Sequence, residues 1–465
     1  MLFNSIDFAI YLPIGFFFYW KIFNKNIKTQ NFFILCLSYL FYGMWNWKFL
    51  FLIAFSSVVD YYLAILIDQS LNSKKRKLLL VTSLFVNIGF LAYFKYYNFF
   101  LESFIDTFSF FGKRMSYDRL DIVLPVGISF YTFQTLSYTI DVYLKKIKPQ
   151  KDIIAFATFV SFFPQLVAGP IERASNLLPQ FLCKRKFNYD NAIIGINQII
   201  WGLFKKIVIA DTCAQYVNFI FDNYSNLNGM TLIIGVIAFS FQIYGDFSGY
   251  SDIAIGVARL FDFKLMKNFK YPYFSSSISE FWRNWHISLS TWFKDYIYIP
   301  LGGNKVSDLL KIRNIFIVFI VSGFWHGPNW TFIFWGMINA FFIIPDLLKK
   351  QIKTNFFLTA FGVFKTYIII CFGWIFFRAN NLNDAFNYIY QIFNSSYHIE
   401  RLGIERLSLE ILPLIFGFSI IEFIYRKREF PLYNTKTTIF TYIIILMIIV
   451  LGSYSDLNDF IYFQF

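Results

Sequence analysis

Three histidines occur in the chain, and two of them stand where a histidine is costly. His326 lies in SGFWHGPNW (322–330), directly after the apolar run 315–321. Imidazole titrates near neutrality, with an unperturbed pKa of about 6.5, so it can serve as a general base. A histidine inside a membrane segment is first a functional candidate. The bland alternative is a buried ring bonded to a backbone carbonyl. His286 lies among tryptophans in SISEFWRNWHISLSTWFKDYIYIPLGG (277–303), where a packed ring with satisfied nitrogens is the alternative to a chemical role. His398, in the polar stretch NSSYHIE, reads as a surface residue.

Two carboxylates, Asp246 and Asp252, fall in FSFQIYGDFSGYSDIAIG (239–256). A carboxylate at the bilayer centre costs about 2.5–3.5 kcal/mol, so such groups face a cavity or a partner. The alternative is that both sit in a solvated loop between helices. Gly245 and Gly249 allow either a helix break or a close backbone approach. Several chemistries are disfavoured. The histidines lack the Cys or Glu spacing of a zinc motif, so no metal is expected. No G-x-S-x-G elbow and no phosphate-binding glycine loop occurs. A base without a protein nucleophile implies that the substrate supplies the attacking group.

Apolar helices must position these residues. Of the 465 residues, 57% are hydrophobic, 23% aromatic and only 15% charged, too apolar for a water-soluble chain of this size. Runs near 20 residues read as membrane helices, because lipid leaves the backbone no outside partner. Candidate spans are 8–20, 32–44, 50–67, 78–96, 122–143, 193–210, 231–244, 315–324 with 330–344, 361–377, 411–425 and 439–451. The first lacks a basic lead and a cleavage site, so it reads as a retained helix. Ser277 and Glu280 have capping-box spacing, so one amphipathic helix is expected to start there and lie at the membrane interface. In that helix Trp282, His286, Leu289, Phe293 and Tyr296 share a face. The four cysteines are scattered and suggest no disulfide framework.

The net charge of +14 is read as cytoplasmic-loop charge and not as nucleic-acid binding. Basic clusters at Lys74–Lys77, Lys145–Lys151 and Lys184–Lys186 place those loops inside, and both termini outside. Parity then requires the stretch 153–168, with Pro164, to enter and return on one side. The reading is one membrane domain of ten to twelve segments: N-terminal helices 1–121, a catalytic core 122–380, and C-terminal helices 381–465.

Together the quoted segments resemble the membrane-bound O-acyltransferases, specifically the bacterial branch that contains alginate and peptidoglycan O-acetyltransferases. PVGISFYTFQTLSYTIDVY (125–143) and FPQLVAGPIER (163–173) match as well, in the same order and spacing. The resemblance implies a ring of helices around a thinned membrane centre, with a channel to a catalytic histidine. That residue maps to His326, and a second family histidine to His286. Asp246, Asp252, Arg283, Trp285, Trp325, Asn329 and Trp330 are then expected to line the channel or substrate path. Asn339 departs from relatives that carry histidine there. The resemblance further implies acetyl transfer from cytoplasmic acetyl-CoA across the bacterial inner membrane. The recipient would be an extracytoplasmic SGNH/GDSL-type serine esterase, which serves a polysaccharide acceptor. The terminal FIYFQF (460–465) resembles an aromatic motif whose tyrosine, here Tyr462, would carry the acyl group; the alternative is an interface anchor. A transporter or flippase of an envelope precursor is the other class that composition permits, although no inverted repeat is found.

Overall fold

Polar caps start the helices. Asn72 Oδ1 accepts the amides of Lys74 and Lys75, and Asp152 Oδ1 those of Ile154 and Ala155. Ser277 Oγ accepts the amide of Glu280. Each satisfies donors that a helix N-terminus leaves open. The computed structural model describes residues 2–110, 118–348, 355–398, 411–436, 438–454 and 460–461. Among the described residues there are helices and connecting segments but no strand. Seven helices are long and apolar enough to cross a bilayer, and two shorter apolar ones, Ile411–Tyr425 and Ile439–Leu451, accompany them. The protein is a multi-pass, all-α membrane protein.

The chain forms two compact units: Met1–Ala192 with Val257–Met266, and Ile193–Gly256 with Lys267–Phe465. In the first unit, α1 (Ile6–Lys21), α2 (Ile27–Asn46), α3 (Phe49–Gln69) and α4 (Ser73–Ser109) precede α5 (Ile128–Tyr143) and α6 (Ile153–Ser161). α4 runs through the stretch after residue 96 that the sequence suggested was a loop, and α5 starts at Ile128 instead of residue 122. Gly127 caps α5 at φ 75°, a backbone that favours glycine. A single buried carboxylate, Asp60, ties three helices. It accepts Ser83 Oγ and, at 2.9 Å, Asn87 Nδ2, while Thr135 of α5 donates to Asn87 at 3.2 Å. Phe51, Phe85 and Leu78 point outward, as lipid-facing side chains do. The suspected re-entrant stretch is broken. α6 has nine residues, about 14 Å of rise, well short of a 30 Å bilayer core. It stops before a separate four-residue turn of helix, Phe163–Leu166, that contains Pro164.

The second unit holds the histidines. α7 (Tyr189–Asp222) and α8 (Gly229–Leu260, its last residues in the first unit) are long. At 32 residues α8 measures about 48 Å. Then come α9 (Ile278–Asn284), α10 (Ile287–Phe293), α11 (Asp308–His326), α12 (Trp330–Leu348) and α13 (Phe356–Arg378). α14 (Leu382–Asn394) follows, with α15 (Ile411–Tyr425) and α16 (Ile439–Leu451). α14 was not foreseen; it is too short and too polar outside one stripe to read as a span. One apolar core runs through this unit and includes Trp285, Trp335, Trp374 and Phe377.

Candidate active site

α11 ends on His326. Gly327 is extended, Pro328 follows, and Asn329 caps α12 by accepting the amide of Thr331 at 3.0 Å. Asn329 Nδ2 donates to the Asn380 carbonyl at 2.8 Å, so this side chain braces the turn. Packing of the two helices is close: a Cβ on Gly323 would overlap the Phe332 carbonyl, and one on Gly336 the Phe319 carbonyl. The hairpin therefore delivers a polar ring at a helix break, inside an apolar wall. His326 is only 4% exposed. Its ring meets Trp325 at 5.0 Å, Trp335 at 5.1 Å and Phe377 at 5.2 Å between centroids, each edge-on. Trp330, expected to line the path, is 54% exposed at the start of α12.

The expected single helix from Ser277 is interrupted. α9 stops at Asn284, Trp285 is extended, and His286 adopts φ 43°, ψ 54° before α10 begins. Trp282 and His286 therefore do not share a helical face. The break is held from a distance: the Ile287 amide donates to the Asn268 carbonyl at 2.9 Å. Asn268 Oδ1 also accepts Ser288 Oγ at 2.9 Å and the Ser288 amide at 3.3 Å. An oxygen that accepts a backbone amide is identified as the carbonyl oxygen. His286 Nδ1, 3.1 Å from that oxygen, must then carry the proton. Nε2 is the nitrogen with the lone pair. Burial pushes the His286 pKa down to about 3, so the ring is neutral at physiological pH. Its ring meets Phe247 at 4.6 Å and Trp325 at 5.9 Å. Trp325 thus touches both histidines.

Trp285 stacks on Phe281 and meets Trp374 at 5.1 Å; Trp374 stacks on Trp335, which meets His326. Arg283 points to the exposed side of α9. Asp246 and Asp252 lie within α8, not in a loop. Gly245 and Gly249 do not break the helix. A Cβ on Gly249 would stand 2.8 Å from the Gly202 carbonyl, so the glycines serve close approach of α7. α7 contains a π-helical stretch, Phe204–Ala210, that carries two adjacent lysines. Lys205 Nζ pairs with Asp252 at 2.6 Å and Lys206 Nζ with Asp246 at 2.8 Å. Lys206 also pairs with Asp211 at 2.8 Å. Asp252 further accepts Gln198 Nε2 at 2.8 Å, and Tyr244 donates to Glu422 at 2.7 Å. Lys205, Asp252, Tyr244, Asn268 and Glu422 line a narrow polar cleft.

Sequence reasoning passed over Lys205, Lys206, Asn268 and Glu422. The lysines had a signal: two ammonium groups inside an apolar run must find partners. Tyr462 lies outside the described residues. Among the described residues, no group of three His, Cys, Asp or Glu forms a metal site.

Residues 144–387, which include both histidines and both aspartates, match the sequence profile of the membrane-bound O-acyltransferase family. The chain belongs to the membrane-bound O-acyltransferase (MBOAT) family. As an MBOAT protein it is an acyltransferase enzyme. It is 36% identical over 417 residues to the peptidoglycan O-acetyltransferase of Helicobacter pylori, covering 83% of this chain and 78% of that one. It is 35% identical over 437 residues to the "Probable alginate O-acetylase AlgI" of Pseudomonas aeruginosa, covering 92% and 82%. A more distant relative is the teichoic acid D-alanyltransferase of Bacillus subtilis, 26% identical over 273 residues, covering 55% and 69%.

Proposed function

We propose that this MBOAT enzyme is an O-acetyltransferase of the bacterial inner membrane. It takes acetyl groups from cytoplasmic acetyl-CoA and passes them outward. The final acceptor is a cell-envelope polysaccharide, peptidoglycan or an alginate-like exopolysaccharide. The names of two relatives support that acceptor class. The observation that carries the chemistry is His326: a buried imidazole at a helix break, walled by Trp325, Trp335 and Phe377.

In this reading His326 removes the proton of an acceptor hydroxyl. The hydroxyl oxygen attacks the thioester carbonyl, a C–O bond forms and the C–S bond breaks. The departing thiolate takes the proton from the imidazolium, so atoms and charge balance. His286, neutral and with its Nδ1 proton held by Asn268, packs its ring against Trp325, the residue that also walls His326. The acceptor hydroxyl is the phenol of Tyr462, with the C-terminus outside. A phenol, with a pKa near 10, leaves a carbonyl more readily than an alcohol does. The serine of an SGNH/GDSL-type esterase partner can therefore take the acetyl group from the tyrosyl ester and hand it to the polymer. Membrane lipid surrounds the helices throughout.

Thioester hydrolysis by purified protein tests the base. The expected loss in His326→Ala is about 10²–10⁴-fold, the usual worth of a positioned acid–base group. Equal rates in the wild type and a monodisperse His326→Ala protein would remove the reading.

A further inference from the structure

Asp246 was expected to line a path. Its environment describes something else. One ammonium, Lys206, serves two carboxylates, Asp246 Oδ1 and Asp211 Oδ1, each at 2.8 Å. All three groups are buried. In such an apolar interior a carboxylate oxygen binds N–H donors strongly. The second Asp246 oxygen accepts such a donor: the backbone N–H of Ile461, at 2.7 Å.

This contact brings the end of the chain onto α8. Phe460 and Ile461 are buried. The Phe460 ring meets Tyr250 at 4.9 Å and Phe247 at 5.9 Å. Phe247 in turn rests on His286. The chain is also tied just after α16: the Ser453 amide donates to the Ile207 carbonyl at 3.2 Å, and Gln215 Nε2 donates to Ser453 Oγ at 3.1 Å. Ile207 belongs to the π-helical stretch. So the stretch that carries Lys206 receives the C-terminal segment at Ser453, and the aspartate it pairs receives it at Ile461.

We propose that the Lys206–Asp246 pair is the seat of the C-terminal segment, with the Asp246 carboxylate a positioning group that holds the Ile461 N–H. The seat sets where the next residue, Tyr462, is presented for acyl transfer; that last step rests on the acyl-carrier reading above. Recognition is through the backbone, so the side chain at 461 need only be apolar.

Proline at 461 removes the donor, fixes φ and trims a buried side chain, whereas valine keeps the donor and loses only one methylene. Asp246→Ala removes the acceptor and leaves residue 461 unchanged. Full-length protein in detergent would be treated with carboxypeptidase and, separately, with isotope-labelled acetyl-CoA. Wild type and Ile461→Val should resist release of the last residues. Ile461→Pro and Asp246→Ala should release them at least tenfold faster, and Asp246→Asn, whose amide oxygen still accepts, should fall between. The ratio of acetyl-Tyr462 formed to thioester hydrolysed should fall at least tenfold in Ile461→Pro and stay level in Ile461→Val. Equal release from the proline and valine proteins would overturn the seat. Should the wild type hydrolyse thioester yet show no acetyl-Tyr462, the carrier reading fails, and release alone judges the seat.

Discussion

At the residue scale, the two buried histidines stand in different backbone settings. His286 sits at positive φ, a conformation that histidine and asparagine tolerate better than β-branched residues do. His286→Val should therefore destabilise the protein by roughly 1–3 kcal/mol of backbone strain, while His286→Asn should be milder. Thermal unfolding in detergent would rank them. The ring also sets a pH dependence. Its folded pKa, about 3, lies below the ordinary value of 6.5. The stability tied to keeping it neutral is present above pH 6.5 and is lost as pH falls toward 3. At pH 5 that loss approaches about 2 kcal/mol. The stability advantage of wild type over His286→Asn, or its deficit, should shift against wild type by that amount between pH 7.5 and pH 5. A gap that does not move with pH would mean the ring is charged or solvated. His326 was legible from the sequence because a polar ring interrupts an apolar run, and interruption is a local property. His286 was legible as a residue but not as a break. Its capping signal and periodicity run on without a fault, and Asn268, 18 positions upstream, enforces the turn.

At the element scale, the α11–α12 hairpin depends on two glycines. Gly336→Val should force the helices apart, because its first added carbon would already overlap the Phe319 carbonyl. His326 would shift with α11, and misplacement by about 1 Å can cost on the order of 10²-fold in rate. Thioester hydrolysis should drop at least tenfold. Gly417→Ala is the control, since nothing stands within 4 Å of a Cβ there. Helix boundaries were only partly legible. α15 and α16 coincide with the apolar runs, because apolar residues dominate both and Glu422 is the one charged residue in the two. α7 and α8 extend well past their apolar runs, because lysine–aspartate pairs let the helices carry charge that hydropathy counts against them. Lys205 meets Asp252 and Lys206 meets Asp246 across roughly 40 to 50 residues of sequence, which no local pattern records.

For the whole molecule, the charge distribution predicts an orientation. Lys151 and Lys184 should both face the cytoplasm, on either side of the short α6. Single cysteines at these positions should resist a membrane-impermeant maleimide in intact cells and react after permeabilisation. Labelling of only one would remove the proposed turn-back of α6. Cys36 and Cys183 are exposed and must be replaced first. Family membership was legible from five ordered motifs, and it displaces the transporter reading that composition alone allowed.

The π-helical stretch Phe204–Ala210 has one more effect. A π turn holds more residues than an α turn, so it acts as a phase shifter along α7. Before it, Gly202 lies against Gly249; within it, Lys206 meets Asp246. Deleting one residue from the stretch would restore ordinary winding and rotate one half of the helix by about 100° against the other. Glycine contact and ion pair would then be out of step. The hydrogen bonds of the helix would be more regular, and the arrangement around Asp246 would be lost.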